Sequence, residues 1–170
     1  MRLLNFFLVC AATVFIAGCA GYHLGPVNDM DAGEKSVEVL PFNNQTLQPR
    51  LGDAVTQALC ERLQADATYR LTTSEPGDIV VSGVIKSYNR EGLSYLNNDV
   101  TTTEDYRVGI VAHVVARERD TGKVLLNKDI NGYALVHVGS DLASTERQSL
   151  PLLAEDLAQN IAESLTEGAW

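Results

Sequence analysis

The first residue with chemistry to offer is Cys19, which stands directly behind the small residues Ala17 and Gly18. An apolar run from Leu3 to Ile16 precedes them and has a single cation, Arg2, at its start. A cation, a short apolar stretch and small residues at its exit are the parts of a secretory signal, and the run is too short to span a bilayer comfortably. Cys19 therefore lies where such a signal ends.

The tetrapeptide Ile16-Ala17-Gly18-Cys19 resembles the lipobox of bacterial lipoproteins at all four positions. That resemblance implies a thioether-linked diacylglycerol on Cys19, cleavage before it and an acylated new N-terminus. Each buried methylene contributes about 0.8 kcal/mol, so two or more acyl chains anchor a protein stably. We predict a signal peptide over residues 1–18 and an exported, membrane-tethered protein. The alternatives are an ordinary signal peptide with a chance cysteine, or an N-terminal membrane anchor.

No set of side chains has the spacing of a catalytic or metal site. The three histidines, His23, His113 and His137, are far apart and lack the pairing of the H-E-x-x-H zinc motif. The chain has neither a G-x-S-x-G nucleophile elbow nor a glycine-rich phosphate loop. We therefore expect no enzymatic activity, no metal and no cofactor, and we interpret the chain as a binding or assembly protein.

The net charge and the number of cysteines exclude further classes of protein. The formal charge is −9, and loss of residues 1–18 removes Arg2 and no acid, which makes the mature chain −10. That acidity argues against nucleic-acid binding and against adhesion to anionic membranes through bulk charge. Of the three cysteines only Cys60 would remain free, so no internal disulfide can form. Cys60 is either a tolerated, partly exposed thiol or a contact with a partner protein.

Apolar runs bounded by turn residues, and stretches of alternating apolar and polar residues, predict five strands. The predicted strands cover residues 36–42, 69–73, 78–90, 106–119 and 124–138. The tetrapeptide Asp120-Thr121-Gly122-Lys123 predicts a hairpin turn, and the polar residues 92–105 predict a loop. Asn131-Gly132 predicts a bulge or bend in the last strand.

Two helices are predicted from apolar residues that recur at three- and four-residue spacing. The first begins at Pro49 and has about four turns. The second ends near Leu165, and Pro151 predicts that it begins or kinks near Ser149. The apolar stripes of the two helices are Leu51, Ala54, Val55, Ala58, Leu59 and Leu63, and Leu150, Leu153, Ala154, Leu157, Ala158, Ile161 and Leu165.

The element order is therefore β-α-β-β-β-β-α. The first helix crosses over between two strands, which should be parallel with a right-handed connection, whereas short turns make the later strands an antiparallel meander. We predict an α+β two-layer sandwich, with both amphipathic helices on one face of a four- to five-stranded mixed, mostly antiparallel sheet. A linker over residues 19–35 precedes this single domain, which covers residues 36–170.

Two segments resemble the LPS-assembly lipoprotein family LptE. Cys19-Ala20-Gly21-Tyr22-His23-Leu24 is similar to the opening that follows the acylated cysteine in that family, and Val39-Leu40-Pro41-Phe42-Asn43-Asn44-Gln45-Thr46 is similar to its first strand and helix entry. The resemblance implies an outer-membrane lipoprotein on the periplasmic side, held in outer-membrane lipid through acylated Cys19. It also implies that the protein helps the LptD β-barrel to fold, plugs it and contacts lipopolysaccharide during transport. Ala20 after the cysteine, rather than Asp, is consistent with outer-membrane sorting.

Other envelope lipoproteins share the V-x-P-F-x-N-x-T pattern, so two alternatives stay open. One is a regulatory lipoprotein that activates a peptidoglycan synthase, and the other is a secretion-pore component of similar fold.

Strand alternation predicts where a lipid phosphate would bind. It puts Lys86, Tyr88 and Arg90 opposite Ile79, Val81 and Ile85, and it puts Arg107, His113, Arg117 and Arg119 opposite Val108, Ile110 and Val114. If the helices cover the apolar side, these cations gather on the open side, where Lys86, Arg90, Arg107 and Arg117 could contact lipopolysaccharide phosphates. The alternative is a solvated face whose cations balance nearby acids.

Overall fold

The computed structural model describes residues 33–96, 99–137 and 142–167, which form six strands and two helices. In chain order they are β1 (Ser36–Val39), β2 (Asn43–Asn44), α1 (Leu51–Asp66), β3 (Arg70–Thr72), β4 (Ile79–Leu96), β5 (Asp99–Glu118), β6 (Val124–His137) and α2 (Leu142–Glu167). The predicted signal peptide, Cys19 and nearly all of the predicted linker lie outside the described residues.

The strands form one sheet in the order β3-β1-β4-β5-β6, with β2 beside β4. β1 is parallel to both of its neighbours, and β4, β5 and β6 form an antiparallel meander. The predicted parallel pairing of the two strands joined by the first helix is therefore confirmed. Helix α1 carries the chain from β1 and β2 to β3, and β1 then lies between β3 and β4.

Both helices cover one face of the sheet, as the two apolar stripes predict. The buried residues of β5 alternate from Val108 to Ala116, and they share one core with Leu59 of α1 and Leu157 of α2. The predicted α+β sandwich is confirmed, with one short strand more than expected because Pro41 and Phe42 separate β1 from β2. No helix in the described part of the chain is long and apolar enough to cross a membrane.

Gly132 is the point at which α2 lies closest to the sheet. A Cβ atom at this position would be 2.7 Å from Cβ of Leu157, so a larger residue would push the helix away. The predicted bulge at Asn131-Gly132 is wrong, because Asn131 pairs with Val111 and Gly132 with Ile110 in unbroken register. The glycine serves helix packing rather than a bend in the strand.

Two further boundaries differ from expectation. Residues 92–105 were expected to form a loop, yet β4 runs to Leu96 and β5 begins at Asp99, so most of this segment is a hairpin stem. Helix α2 begins at Leu142, nine residues before Pro151, and contains that proline in its interior. Proline removes the hydrogen bond to the carbonyl of residue 147 and crowds that carbonyl with its ring, and the buried residues that follow Pro151 hold the helix in place.

Candidate functional site

A β-bulge in β4 decides where the cations predicted from the sequence lie. Ile85 pairs with Ala112 and Ser87 with Val111, so Lys86 is an extra residue in the strand. Beyond it, Tyr88 pairs with Ile110 and Arg90 pairs with Val108, and both partners are buried under the helices. Tyr88 and Arg90 therefore lie on the helix-covered face. The predicted placement of these two residues on the open face is wrong, because the extra residue reverses the alternation.

Lys86 itself lies on the open face and has an acidic partner there. Its Nζ is 2.8 Å from Oδ1 of Asp129, and Nδ1 of His113 is 2.7 Å from the same oxygen. The hydrogen bond from Lys86, followed by that from His113, lowers the pKa of Asp129 below its usual value. Asp129 therefore stays ionised and offsets the positive charge of Lys86.

Most of the other cations on the open face already contact a neighbouring side chain. Arg107 lies over the ring of Tyr133, with 6.0 Å from its Cζ to the centroid, and its Nη1 is 4.0 Å from Oε2 of Glu91. Arg117 is exposed and makes no ion pair with a described residue. Arg119, which directly follows β5, pairs with Glu38. Among the described residues, carboxylates thus lie beside Lys86, Arg107 and Arg119.

A groove opens at the edge of β4 beside the bulge. β2 pairs with β4 only as far as Ile85, so no described strand lies on that side of β4 from Lys86 onward. The groove has a volume of about 620 Å³ and lies between β4 and the segment from Gln45 to Gln48. Lys86 and Arg90 both line it, although they lie on opposite faces, because the edge is open to both.

The wall opposite β4 is a loop built by Asn44 and Thr46. Oδ1 of Asn44 accepts hydrogen bonds from the backbone N–H of Thr46 at 2.9 Å and from its hydroxyl at 2.7 Å. Nδ2 of Asn44 donates to the carbonyl of Gln48 at 2.6 Å. These bonds close a tight turn, as short polar side chains often do, and leave Leu47 fully exposed at its tip.

Phe42 fixes this loop to the core. Its backbone N–H donates to Oγ1 of Thr56 on α1 at 2.9 Å. Its ring covers Gly83 on β4 so closely that a Cβ atom there would overlap it, and its carbonyl lies against Gly52. The Pro-Phe-x-Asn-x-Thr pattern therefore has a structural explanation, since it anchors the loop on which the groove depends.

The groove can bind an anionic group that is attached to an apolar body. Arg90 supplies positive charge, and Lys86 adds an ammonium group whose charge Asp129 partly offsets. Tyr88 and Leu47 supply aromatic and apolar surface. No group of three or more His, Cys, Asp or Glu side chains in the described ranges could hold a metal ion. Alternation of residue types could not reveal the groove, because both the bulge and the free edge depend on strand pairing.

Solved structures with the same fold come from several bacteria. A hypothetical protein from Chlamydia trachomatis has a TM-score of 0.58 and 13% identity, covering 79% of this chain and 97% of that one. A protein from Xanthomonas campestris has a TM-score of 0.53 and 9% identity, covering 83% and 92%. A minor lipoprotein from Acinetobacter baumannii has a TM-score of 0.52 and 13% identity, covering 78% and 93%. At these identities the likeness shows the fold alone.

No curated protein sequence matches the chain. The model of the lipopolysaccharide-assembly family LptE, in contrast, matches residues 34–166, which cover every strand and nearly the whole of both helices. The chain belongs to the LptE family of lipopolysaccharide-assembly proteins.

Proposed function

We propose that the protein is an outer-membrane lipoprotein, anchored through acylated Cys19 on the periplasmic side. In this role it assists the assembly of an LptD-like β-barrel, plugs it and takes part in lipopolysaccharide transport to the cell surface. Membership of the LptE family supports the assembly role, and the lipobox at Cys19 supports the anchor.

The observation that carries the transport role is the groove at the edge of β4. Lipopolysaccharide combines phosphates with sugars and acyl chains, and the groove brings two cations together with Tyr88 and the exposed Leu47. Arg90 can hold a phosphate through two parallel hydrogen bonds, and Lys86 can add a point charge. Tyr88, whose hydroxyl is buried, offers the exposed part of its flat ring to sugars or acyl chains.

Of the four cations predicted from the sequence, we assign the lipid contact to Lys86 and Arg90. Arg107 lies outside the groove and is already in contact with Tyr133 and Glu91. Arg117 lies on the open face and does not line the groove. Arg107 and Arg117 therefore serve as comparison positions at which a substitution should matter less.

The test is the double variant Lys86→Glu with Arg90→Glu, measured for lipopolysaccharide binding and for recovery of the barrel from solubilised envelopes. Losing two charge-assisted contacts should weaken lipopolysaccharide binding more than tenfold. Arg62→Glu with Lys128→Glu is the matched control, because it changes net charge equally at exposed positions away from the groove. Leu47→Ser tests the apolar contribution without any change of charge.

Lys86→Glu also breaks the pair with Asp129, so thermal stability must be recorded for each variant. A folded double variant that binds lipopolysaccharide as tightly as the wild type would overturn the assignment of the groove. If that variant still recovers the barrel, the proposed function rests on barrel assembly alone. Recovery of a penicillin-binding protein, or of a ring of identical chains, in place of a barrel would favour one of the alternatives.

A further inference from the structure

A second cleft lies between the two helices, at the opposite end of the loop that forms the groove. It has a volume of about 410 Å³, which falls in the range of about 300–1,000 Å³ typical of small-molecule sites. The start of α1 and the first half of α2 form its walls. The apolar residues of these walls are Pro49, Ala54, Leu150 and Pro151.

Two arginines line this cleft from different helices. Arg50 precedes α1, and Arg147 lies in the turn of α2 before Pro151. Both side chains are exposed, and Arg50 makes no ion pair with any residue in the described ranges. Asp53 is the one carboxylate among the lining residues that the structure describes, so these residues carry a formal excess of positive charge in a protein whose net charge is −9.

The backbone of Arg50 has an unusual conformation. Arg50 has a φ of 63°, in the left-handed region that L-residues other than Asn and Asp rarely adopt. Conformations of this kind are found where the surrounding structure fixes a residue, and they concentrate at binding sites. Here the strained residue is the arginine that borders the cleft.

We propose that this cleft binds an anionic phospholipid. Arg50 and Arg147 would contact the phosphate, because guanidinium groups bind phosphate through paired hydrogen bonds. The apolar wall would contact the first part of an acyl chain. The inference goes beyond the proposed function, since the cleft and the groove share only Gln48 and use different cations.

The experiment is native mass spectrometry of the full chain released from neutral detergent micelles. Phosphatidylglycerol, phosphatidylcholine and inorganic phosphate are each titrated as separate probes. We expect one saturable phosphatidylglycerol per chain, at least tenfold weaker binding of phosphatidylcholine, and no retained phosphate. Arg50→Ala with Arg147→Ala should weaken phosphatidylglycerol binding by about tenfold or more, whereas Arg62→Ala on α1 should leave it unchanged.

A cleft-filling substitution separates binding in the cleft from attraction at the surface. Ala54→Leu adds apolar volume inside the cleft and keeps both arginines, so it should also weaken phosphatidylglycerol binding; a thermal melt confirms that the variant is folded. Wild-type affinity in both the double-arginine variant and Ala54→Leu would overturn the proposal. Equal binding of phosphatidylcholine, or retention of inorganic phosphate alone, would overturn it as well.

The groove variant keeps the two proposals distinguishable. Lys86→Glu with Arg90→Glu should retain the phosphatidylglycerol that the cleft binds. If this variant loses lipopolysaccharide but keeps phosphatidylglycerol, the two sites are separate. If it loses phosphatidylglycerol while the double-arginine variant keeps it, the lipid occupies the groove and the cleft proposal fails.

Discussion

The carboxylate of Asp156 on α2 accepts a hydrogen bond from the backbone N–H of Tyr133 on β6, with 2.8 Å between Oδ2 and N. One turn later, Nδ2 of Asn160 donates to the carbonyl of Asn131 at 2.9 Å. Two side chains of the helix thus occupy backbone groups that a neighbouring strand would otherwise use. Because an unpaired sheet edge can recruit another chain, these contacts close the middle of the β6 edge.

Asp156→Ala should therefore expose the N–H of Tyr133 and lower the free energy of unfolding by about 1 kcal/mol, the usual net value of one hydrogen bond. The measurement is amide hydrogen exchange at Tyr133 combined with urea unfolding. Asp156→Asn keeps an acceptor oxygen and should behave more like the wild type. Gln159→Ala, on the same helix, is the control. Unchanged exchange at Tyr133 in the alanine variant would show that the contact does not protect the edge.

Gly83→Ala should destabilise the protein by about 1–3 kcal/mol, since the new methyl group would overlap the buried ring of Phe42. Displacing that ring should also disturb the loop from Gln45 to Gln48, so lipopolysaccharide binding should weaken in parallel. Urea unfolding and a binding assay check the two effects. Gly122→Ala meets no atom within 4 Å but has a φ of +70°; its cost should be backbone strain alone, with binding unaltered.

Leu59→Ala and Leu157→Ala should each lower the free energy of unfolding by about 2–5 kcal/mol, because both side chains are fully buried in the core shared by the two helices. Leu152→Ala is the matched control, since that leucine is 57% exposed, and it should cost less than about 0.5 kcal/mol. Chemical denaturation of the three variants gives the comparison. Costs as small as that of Leu152→Ala at both buried positions would contradict the packing.

The hydroxyl of Tyr69 donates to the carbonyl of Leu165 near the end of α2, at 3.1 Å. Burial, with a smaller contribution from the charge of Asp66, raises the pKa of Tyr69 from 10.0 to about 12. A raised pKa on an acid favours its neutral form in the folded state. The resulting stability is complete below pH 10 and is lost as the pH rises toward 12.

Tyr69→Phe should consequently cost about 1 kcal/mol at neutral pH through the lost hydrogen bond. The difference between the wild type and this variant should shrink between pH 10 and 12, when the unfolded tyrosine ionises. Urea unfolding of both proteins across this range provides the test. A difference that stays constant would mean that the phenol is not held in its neutral form.

Cys19→Ser should abolish acylation and leave an uncleaved or soluble precursor with an intact domain, because Cys19 contributes to none of the described strands and helices. Metabolic labelling with palmitate measures the acylation, and fractionation of the envelope measures the attachment to the membrane. The matched control is Cys60→Ser, which removes a thiol inside the domain and should leave labelling unchanged. Incorporation of palmitate into the Cys19→Ser variant would refute the predicted anchor.

The pattern of apolar and polar residues predicts those strands and helices that have one face in the core and the other in solvent. The alternation from Val108 to Ala116 and the stripe around Leu157 gave the correct faces, since burial selects apolar residues at those positions. The sequence pattern does not predict the hairpin stem within residues 92–105, because this mostly polar segment has no alternation of apolar and polar residues to recognise.

The candidate site was predicted less well for a different reason. One extra residue at Lys86 reverses the alternation of the side chains that follow it, up to the next register shift after Gly92, and no residue type in that strand signals the insertion. The groove also depends on where β2 ends, and β2 pairs with residues that lie 41 positions later in the chain. Lys86 and Arg90 were identified by their charge, but their surroundings could come only from the assembled sheet.

The position of β1 between β3 and β4 has a consequence for the order of folding. Ser36 is 42 residues before Asp78, whose carboxylate accepts hydrogen bonds from the backbone and the hydroxyl of Ser36. During synthesis β1 emerges first, yet both of its neighbours emerge later. The β4–β6 meander can form from contacts between adjacent segments, which close rapidly, whereas the apolar segment 36–42 must wait without a partner. We expect this segment to be the one that a chaperone protects.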